Sequence, residues 1–148
     1  MSIPRDEIVA VARSWIGTPY RHQASCKGAG ADCLGLLRGV WRTVYGAEPE
    51  DVPPYSADWS EPQGEEALWD AASRHLLAKP FEQAESGDVL LFRMRSGAVA
   101  KHLGIFVSGS DKSEFLHAYS GQGVVMSALS GPWARRVVAC FAFPERNG

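Results

Sequence analysis

The spacing of apolar residues changes near Pro80, and that change constrains the fold more than any other feature of this 148-residue chain. Before it, the spacing is helical. Ile8, Val11, Ala12 and Trp15 recur at i, i+3, i+4 and i+7, one stripe of an amphipathic helix. Ser2 is placed to cap this helix, Pro4 lies near its first turn, and Asp6 and Glu7 favour its positive end. Gly17 and Pro19 stop it. A second helix starts at Asp32, a good N-cap, with Cys33, Leu37, Val40, Trp41 and Val44 on its apolar side and Gly46 as its stop. Residues 62–78 read as a third, with Leu68, Ala71, Ala72, His75 and Leu76 on one side, closed by Pro80. Beyond Pro80 the segments 88–94, 103–107, 113–118, 123–127 and 136–143 are short and rich in Val, Leu, Ile and Phe, with Gly or Ser/Asp clusters between them. Helices first and hairpin-linked strands later predict an α+β fold, with N-terminal helices packed on a C-terminal antiparallel sheet of about five strands.

Composition removes several classes of protein. With 45% hydrophobic and 22% charged residues, the chain is neither a disordered polymer nor a coiled coil. No apolar run approaches the ~18 residues of a membrane span. Arg5, Asp6, Glu7 and Arg13 interrupt the stretch a signal peptide needs, so the expectation is synthesis in the cytoplasm without a leader. There is no Lys/Arg-rich stripe, which argues against nucleic acid as a partner. A single domain over 1–148 is expected.

The net charge of −2 conceals a segregation. Residues 48–70 hold eight acids and no Lys or Arg, leaving nine acids against fifteen Lys and Arg elsewhere, a net of +6. Pro49, Pro53, Pro54 and Pro62 fall in the same stretch, so 48–62 reads as an acidic, Pro-rich excursion, a solvated loop across the domain.

Three cysteines are an odd number and make no disulfide framework. Cys33 is the most informative. The first turn of a helix presents unpaired N–H groups and the positive end of the dipole, which lower a thiol's pKa and can hold an oxyanion. Position alone leaves two readings open, an activated thiol or a small buried hydrophobe. Cys140 lies in an apolar strand and reads as core, and Cys26 lies in the loop 17–31. A thiolate needs a base, and the histidines are His22, His75, His102 and His117. His102 and His117 flank Ser108-Gly109-Ser110-Asp111, a four-residue hairpin loop. Pairing Val107 with Lys112 sets His102 across from His117 on one face, and Gly104 across from Phe115. Paired imidazoles suit a base and its orienter. A zinc site built on His22, Cys26 and Cys33 lacks a C-x-x-C or H-E-x-x-H in support, so neither metal nor cofactor is expected.

Taken together, the run GTPYRHQASCKGAGADCLGLLRGVW, the strands SGDVLLF and KHLGIFVSG, the segment EFLHAYSGQGVVMSAL and the closing ARRVVACFAF resemble the NlpC family of cell-wall cysteine peptidases, in the family's order. There D-C-S-G-[LF] opens a helix and G-D-L-V-F-F and H-V-G-I-Y form strands. The resemblance implies a papain-like fold and hydrolysis of peptidoglycan stem peptides, typically between D-γ-glutamate and diaminopimelate. It implies Cys33 as nucleophile, His102 as base, His117 as orienting residue, and Tyr20 and Asp32 lining the substrate site. Leu34 departs from the family's serine. The DCLGL spelling is most similar to the phage and gene-transfer-agent branch, which implies a virion- or tail-associated enzyme with tail-like protein partners. An amidase or acyltransferase on the same scaffold, and a catalytically idle tail-assembly or wall-binding module, stand as alternatives.

Overall fold

The computed structural model describes residues 4–50, 66–94, 99–109 and 111–145. Ser2, expected as a cap, and most of the acidic stretch lie outside these. Helix α1 (Arg5–Arg13) starts from Pro4 with no side-chain cap and buries Ile8 and Ala12. Trp15 is buried just beyond its end and lies where a Cβ on Gly39 would stand, so the missing side chain of Gly39 lets helix α2 approach.

The loop after α1 is more ordered than its glycines suggest. It forms a small antiparallel pair, β1 (Ser25–Cys26) and β2 (Gly30–Ala31), and Tyr20 bridges Ala31. Helix α2 (Cys33–Tyr45) follows as expected, capped by Asp32 and stopped by Gly46 in the left-handed region (φ +95°). Its buried stripe is Cys33, Leu36, Val40 and Val44, with Gly35 and Gly39. Leu37 and Trp41, expected on that stripe, only flank the core.

The third helix is shorter than the 62–78 predicted. Among the described residues, α3 spans Ala67–His75 and buries Leu68 and Ala72. Leu77–Lys79 instead forms strand β3, paired with the last strand. Leu76 is extended (φ −120°, ψ 165°) and buried, so the chain keeps its apolar contact while leaving the helix. Ala71 and His75 are only half-buried.

The five predicted strands are present as β4 (Val89–Arg93), β5 (Ala100–Ser108), β6 (Ser113–Tyr119), β7 (Gly123–Ala128) and β8 (Val137–Ala142). With β3 they make a six-stranded sheet of order β3-β8-β4-β5-β6-β7, antiparallel in every pairing. A short helix, α4 (Gly131–Ala134), links β7 to β8. Alternation along the strands splits the apolar residues. Leu91, Leu103, Ile105, Leu116 and Phe141 pack with the helices, while Leu90, Phe92, Phe106, Phe115 and Cys140 form a second cluster with Trp133. Asp88, fully buried, ties α1 to the sheet by accepting from Arg5 Nη1 (2.6 Å) and pairing with Lys79 Nζ (2.8 Å).

The acidic excursion is not simply solvated at its ends. Glu48 pairs with Arg38 (2.6 Å) and Arg42 (3.1 Å), Glu50 with Arg74 (2.9 Å), and Glu66 with Arg93 (3.1 Å). Residues 51–65 lie outside the described set.

Candidate active site

Asp32 builds the local frame. Its Oδ1 accepts from the Gly35 N–H (2.7 Å), the N-cap bond, and its Oδ2 accepts from the Gln23 N–H (2.7 Å). One buried carboxylate thus fastens the start of α2 to the preceding loop, and His22 Nδ1 lies 3.8 Å from Oδ2. Replacing it by alanine leaves two N–H donors without their partner. Asp32→Ala is therefore expected to destabilise the fold by about 1–3 kcal/mol. Thermal unfolding checks this, and a midpoint equal to wild type would contradict the capping role.

Cys33 is the first residue of α2 and is buried. Its Sγ is directed at the Lys101 carbonyl (3.9 Å), at the start of β5. Burial pushes the thiol up to about 12 and the neighbouring Asp32 charge adds to this, against the N–H groups of Leu103, Leu34 and Cys33 itself, which favour the anion. The helix start acts as predicted, but burial outweighs it.

The two histidines meet, though not in the expected register. The pairs are Ile105↔Leu116, Phe106↔Phe115, Val107↔Glu114 and Ser108↔Ser113, a slip of two residues from pairing Val107 with Lys112. Phe115 faces Phe106 rather than Gly104. A slip of one residue would have turned the histidines to opposite faces, whereas a slip of two preserves the face. They approach diagonally, His102 Nε2 to His117 Nδ1 at 2.7 Å. A Cβ on Gly104 would come within 2.8 Å of the Phe115 ring, so glycine leaves that ring its place. Behind the pair, His117 Nε2 meets Ser127 Oγ at 2.8 Å. Trp133 packs against both imidazoles (centroids 5.8 and 5.3 Å) and carries the Arg136 guanidinium over its ring (5.3 Å).

This apolar box has a measurable cost. Burial lowers His102 to about 3, with the neighbouring His117 charge adding to the shift, and burial lowers His117 to about 4. An unfolded histidine titrates near ~6.5, so across that window the unfolded chain binds more protons and stability rises with pH. Acidification from pH 7 to 5 is expected to weaken the fold by up to ~1.4 kcal/mol per pH unit per histidine. Urea midpoints should fall over this range and flatten in a His102→Gln/His117→Gln double variant. A flat wild-type profile would contradict the buried, neutral pair.

Cys33, His102, Tyr20 and Asp32 line one cavity of about 150 Å³, joined by His22 and Lys101. His117 stands behind His102 rather than on the wall. Burial raises the Tyr20 hydroxyl to about 12, with Cys33 and Asp32 adding to the shift, so it stays protonated and able to donate. Cys33 and His102 share this wall without a hydrogen bond between them among the described residues. A larger groove of about 570 Å³, lined by Trp15, Cys26 and Arg42 among others, contains no histidine. Cys26 is exposed, Cys140 is buried in the sheet, and His75 pairs with Glu50 (2.7 Å) on the surface. Sequence reasoning missed Ser127 and Trp133, because only the strand pairing and α4 bring them to the histidines.

Residues 17–142 match the sequence profile of the NlpC/P60 family. The chain belongs to the NlpC/P60 family. It is 28% identical over 130 residues to a probable endopeptidase NlpC homolog of Haemophilus influenzae, covering 86% of this chain and 57% of that protein. It is 30% identical over 123 residues to the murein DD-endopeptidase MepS/murein LD-carboxypeptidase of Escherichia coli, covering 82% and 54%. The chain thus spans about half the length of the curated relatives it matches. An NlpC/P60 family protein from Bacillus cereus superimposes with a TM-score of 0.69 at 18% identity, over 97% of this chain and 41% of that one. The NlpC/p60 domain of the peptidoglycan hydrolase SagA superimposes at 0.64 and 24% identity, over 95% of this chain and all of that domain. These NlpC/P60 structures share the papain-like α+β fold found here.

Proposed function

We propose that this NlpC/P60 chain is a cysteine endopeptidase of peptidoglycan stem peptides, acting through Cys33, His102 and His117. The observation that carries the proposal is a thiol at the first turn of α2 sharing a small cavity with an imidazole that a second imidazole holds at 2.7 Å. The family membership and the murein endopeptidase named among the relatives support it.

His117 occupies Nε2 of His102, so Nδ1 is the nitrogen assigned to the thiol. Burial holds all three groups neutral at rest, so the proton leaves Cys33 as attack begins rather than before it. A change of χ1 rotamer turns Sγ from the Lys101 carbonyl toward the bound peptide. The sulfur attacks the carbonyl carbon, and N–H groups at the start of α2 face the developing oxyanion. His102 returns its proton to the leaving amine, giving a thioester. Water activated by the same imidazole then releases the acid. Tyr20 and Asp32 contact the peptide from the same wall. Asp32 retains lone-pair capacity beyond its two backbone bonds, so holding the helix and holding a substrate ammonium are compatible.

In its finer form the proposal takes the D-γ-glutamyl–diaminopimelate bond as the target and a phage- or gene-transfer-agent tail as the carrier. The motif resemblance supports both. Digestion of purified muropeptides with mass spectrometry of the products tests it. Release of fragments cut at that bond is expected. No cleavage by protein whose Cys33 is shown to be reduced would overturn the peptidase reading, and cleavage at the sugar–peptide amide would replace it with an amidase.

A further inference from the structure

The hydrogen-bonded chain behind the cavity does not end at His117. Its Nε2 meets Ser127 Oγ at 2.8 Å, across the β6–β7 pair. Ser127 pairs with Phe115 in the ladder, so it stands diagonal to His117 and on the same face. We propose that Ser127 is a positioning residue of the reaction, the fixed acceptor that holds His117 in the one tautomer able to support a protonated His102. This rests on the assignment of His102 as the base.

The argument follows the protons. When the Cys33 S–H bond breaks, its proton forms an N–H bond at His102 Nδ1, and His102 now carries protons on both nitrogens. Its Nε2–H donates to His117, whose Nδ1 must therefore be the bare acceptor. His117 is neutral, so its own proton must sit on Nε2. That N–H is largely enclosed by Phe115, Tyr119 and Trp133. It needs an acceptor inside the box, and Ser127 Oγ is in place to be it. No proton passes to Ser127, and its oxygen only accepts.

At rest the demand is weaker. With all groups neutral, a serine hydroxyl can both donate and accept, and the direction in which Ser127 accepts is the one that keeps His102 Nδ1 bare for the thiol proton. That direction becomes obligatory once His102 is charged, because its Nε2 can then only donate. Ser127 therefore acts on the step and hardly at all on substrate binding, which separates it from a packing residue.

The experiment compares the full chain as wild type, Ser127→Ala and Ser127→Thr on purified disaccharide-tetrapeptide muropeptides. The alanine variant is expected to lose about tenfold in kcat with KM within about twofold, and threonine to recover most of the loss. In ¹⁵N-histidine-labelled protein the His117 Nε2–H signal should be slowly exchanging in wild type and lost or moved to Nδ1 in Ser127→Ala. Iodoacetamide labelling of Cys33, mapped by mass spectrometry, should slow about tenfold in the alanine variant. Unchanged kcat, an unchanged imidazole spectrum, or a threonine variant as impaired as alanine would each overturn the role of Ser127. If wild type cleaves no muropeptide, the peptidase reading fails, and the spectra and labelling still decide on Ser127.

Discussion

Cys33→Ala is expected to abolish muropeptide cleavage, with a loss of about 10⁴-fold or more, while the fold persists. Among the described residues lining the cavity, Cys33 is the one thiol. Cys26 is exposed and lines the other groove, and Cys140 is buried in the sheet. The structural cost is small, because alanine suits a helix start and the contact of the neutral thiol with the Lys101 carbonyl is weak, at 3.9 Å. Midpoints of thermal unfolding should agree within a few degrees, so lost activity is not lost folding. Cleavage that survives in Cys33→Ala would move the nucleophile elsewhere. Cys33→Ser is expected to be nearly as inactive, since two neutral, buried imidazoles are poor bases for a hydroxyl.

Gly35→Ala should be the most damaging single-methyl change. A Cβ at Gly35 would overlap the Ala24 carbonyl oxygen, a backbone atom of the loop beside β1, and come within 3.1 Å of Asp32 Oδ1. A flexible side chain could turn away, but this carbonyl cannot without moving the loop. Gly35 also donates the N–H that Asp32 accepts, so the same shift opens the cap. Overpacking plus loss of the cap predicts about 3 kcal/mol or more of destabilisation, roughly a 6–12 °C fall in Tm for a domain of this size. Because Cys33 lies two residues away on the displaced helix start, activity should fall further than the lost folded fraction explains. A Tm within 1–2 °C of wild type would show that the loop yields and would refute the close-packing account.

The sequence carried these features unevenly, for physical reasons. The helix starting at Asp32-Cys33 was legible because a capping residue, an apolar stripe and a stopping glycine all act locally. The five strands after Pro80 were legible because alternation and turn residues are local too. Strand β3 was not. Leu76 suits a helix face and a buried extended residue equally, and only pairing of Leu77–Lys79 with β8, some sixty residues away, decides between them. The histidine register was misplaced by two residues because alternation fixes the face and leaves the exact partner to the turn. The resting state of Cys33 stays open in the sequence for a related reason. The helix start is written beside it, whereas the burial that outweighs it comes from elements far along the chain.

Strand β8 has a consequence for the order of assembly. Among the described strands it is the last in chain order, yet it lies inside the sheet between β3 and β4. On the ribosome, β3 has no neighbour and β4 keeps one edge unpaired until residues 137–142 emerge. A nascent chain therefore carries Cys33 and both histidines for some time on a scaffold that cannot close. The proposed activity should appear abruptly, once this strand has paired. Chains halted before Val137 should be inert and prone to add a stray strand at the β4 edge.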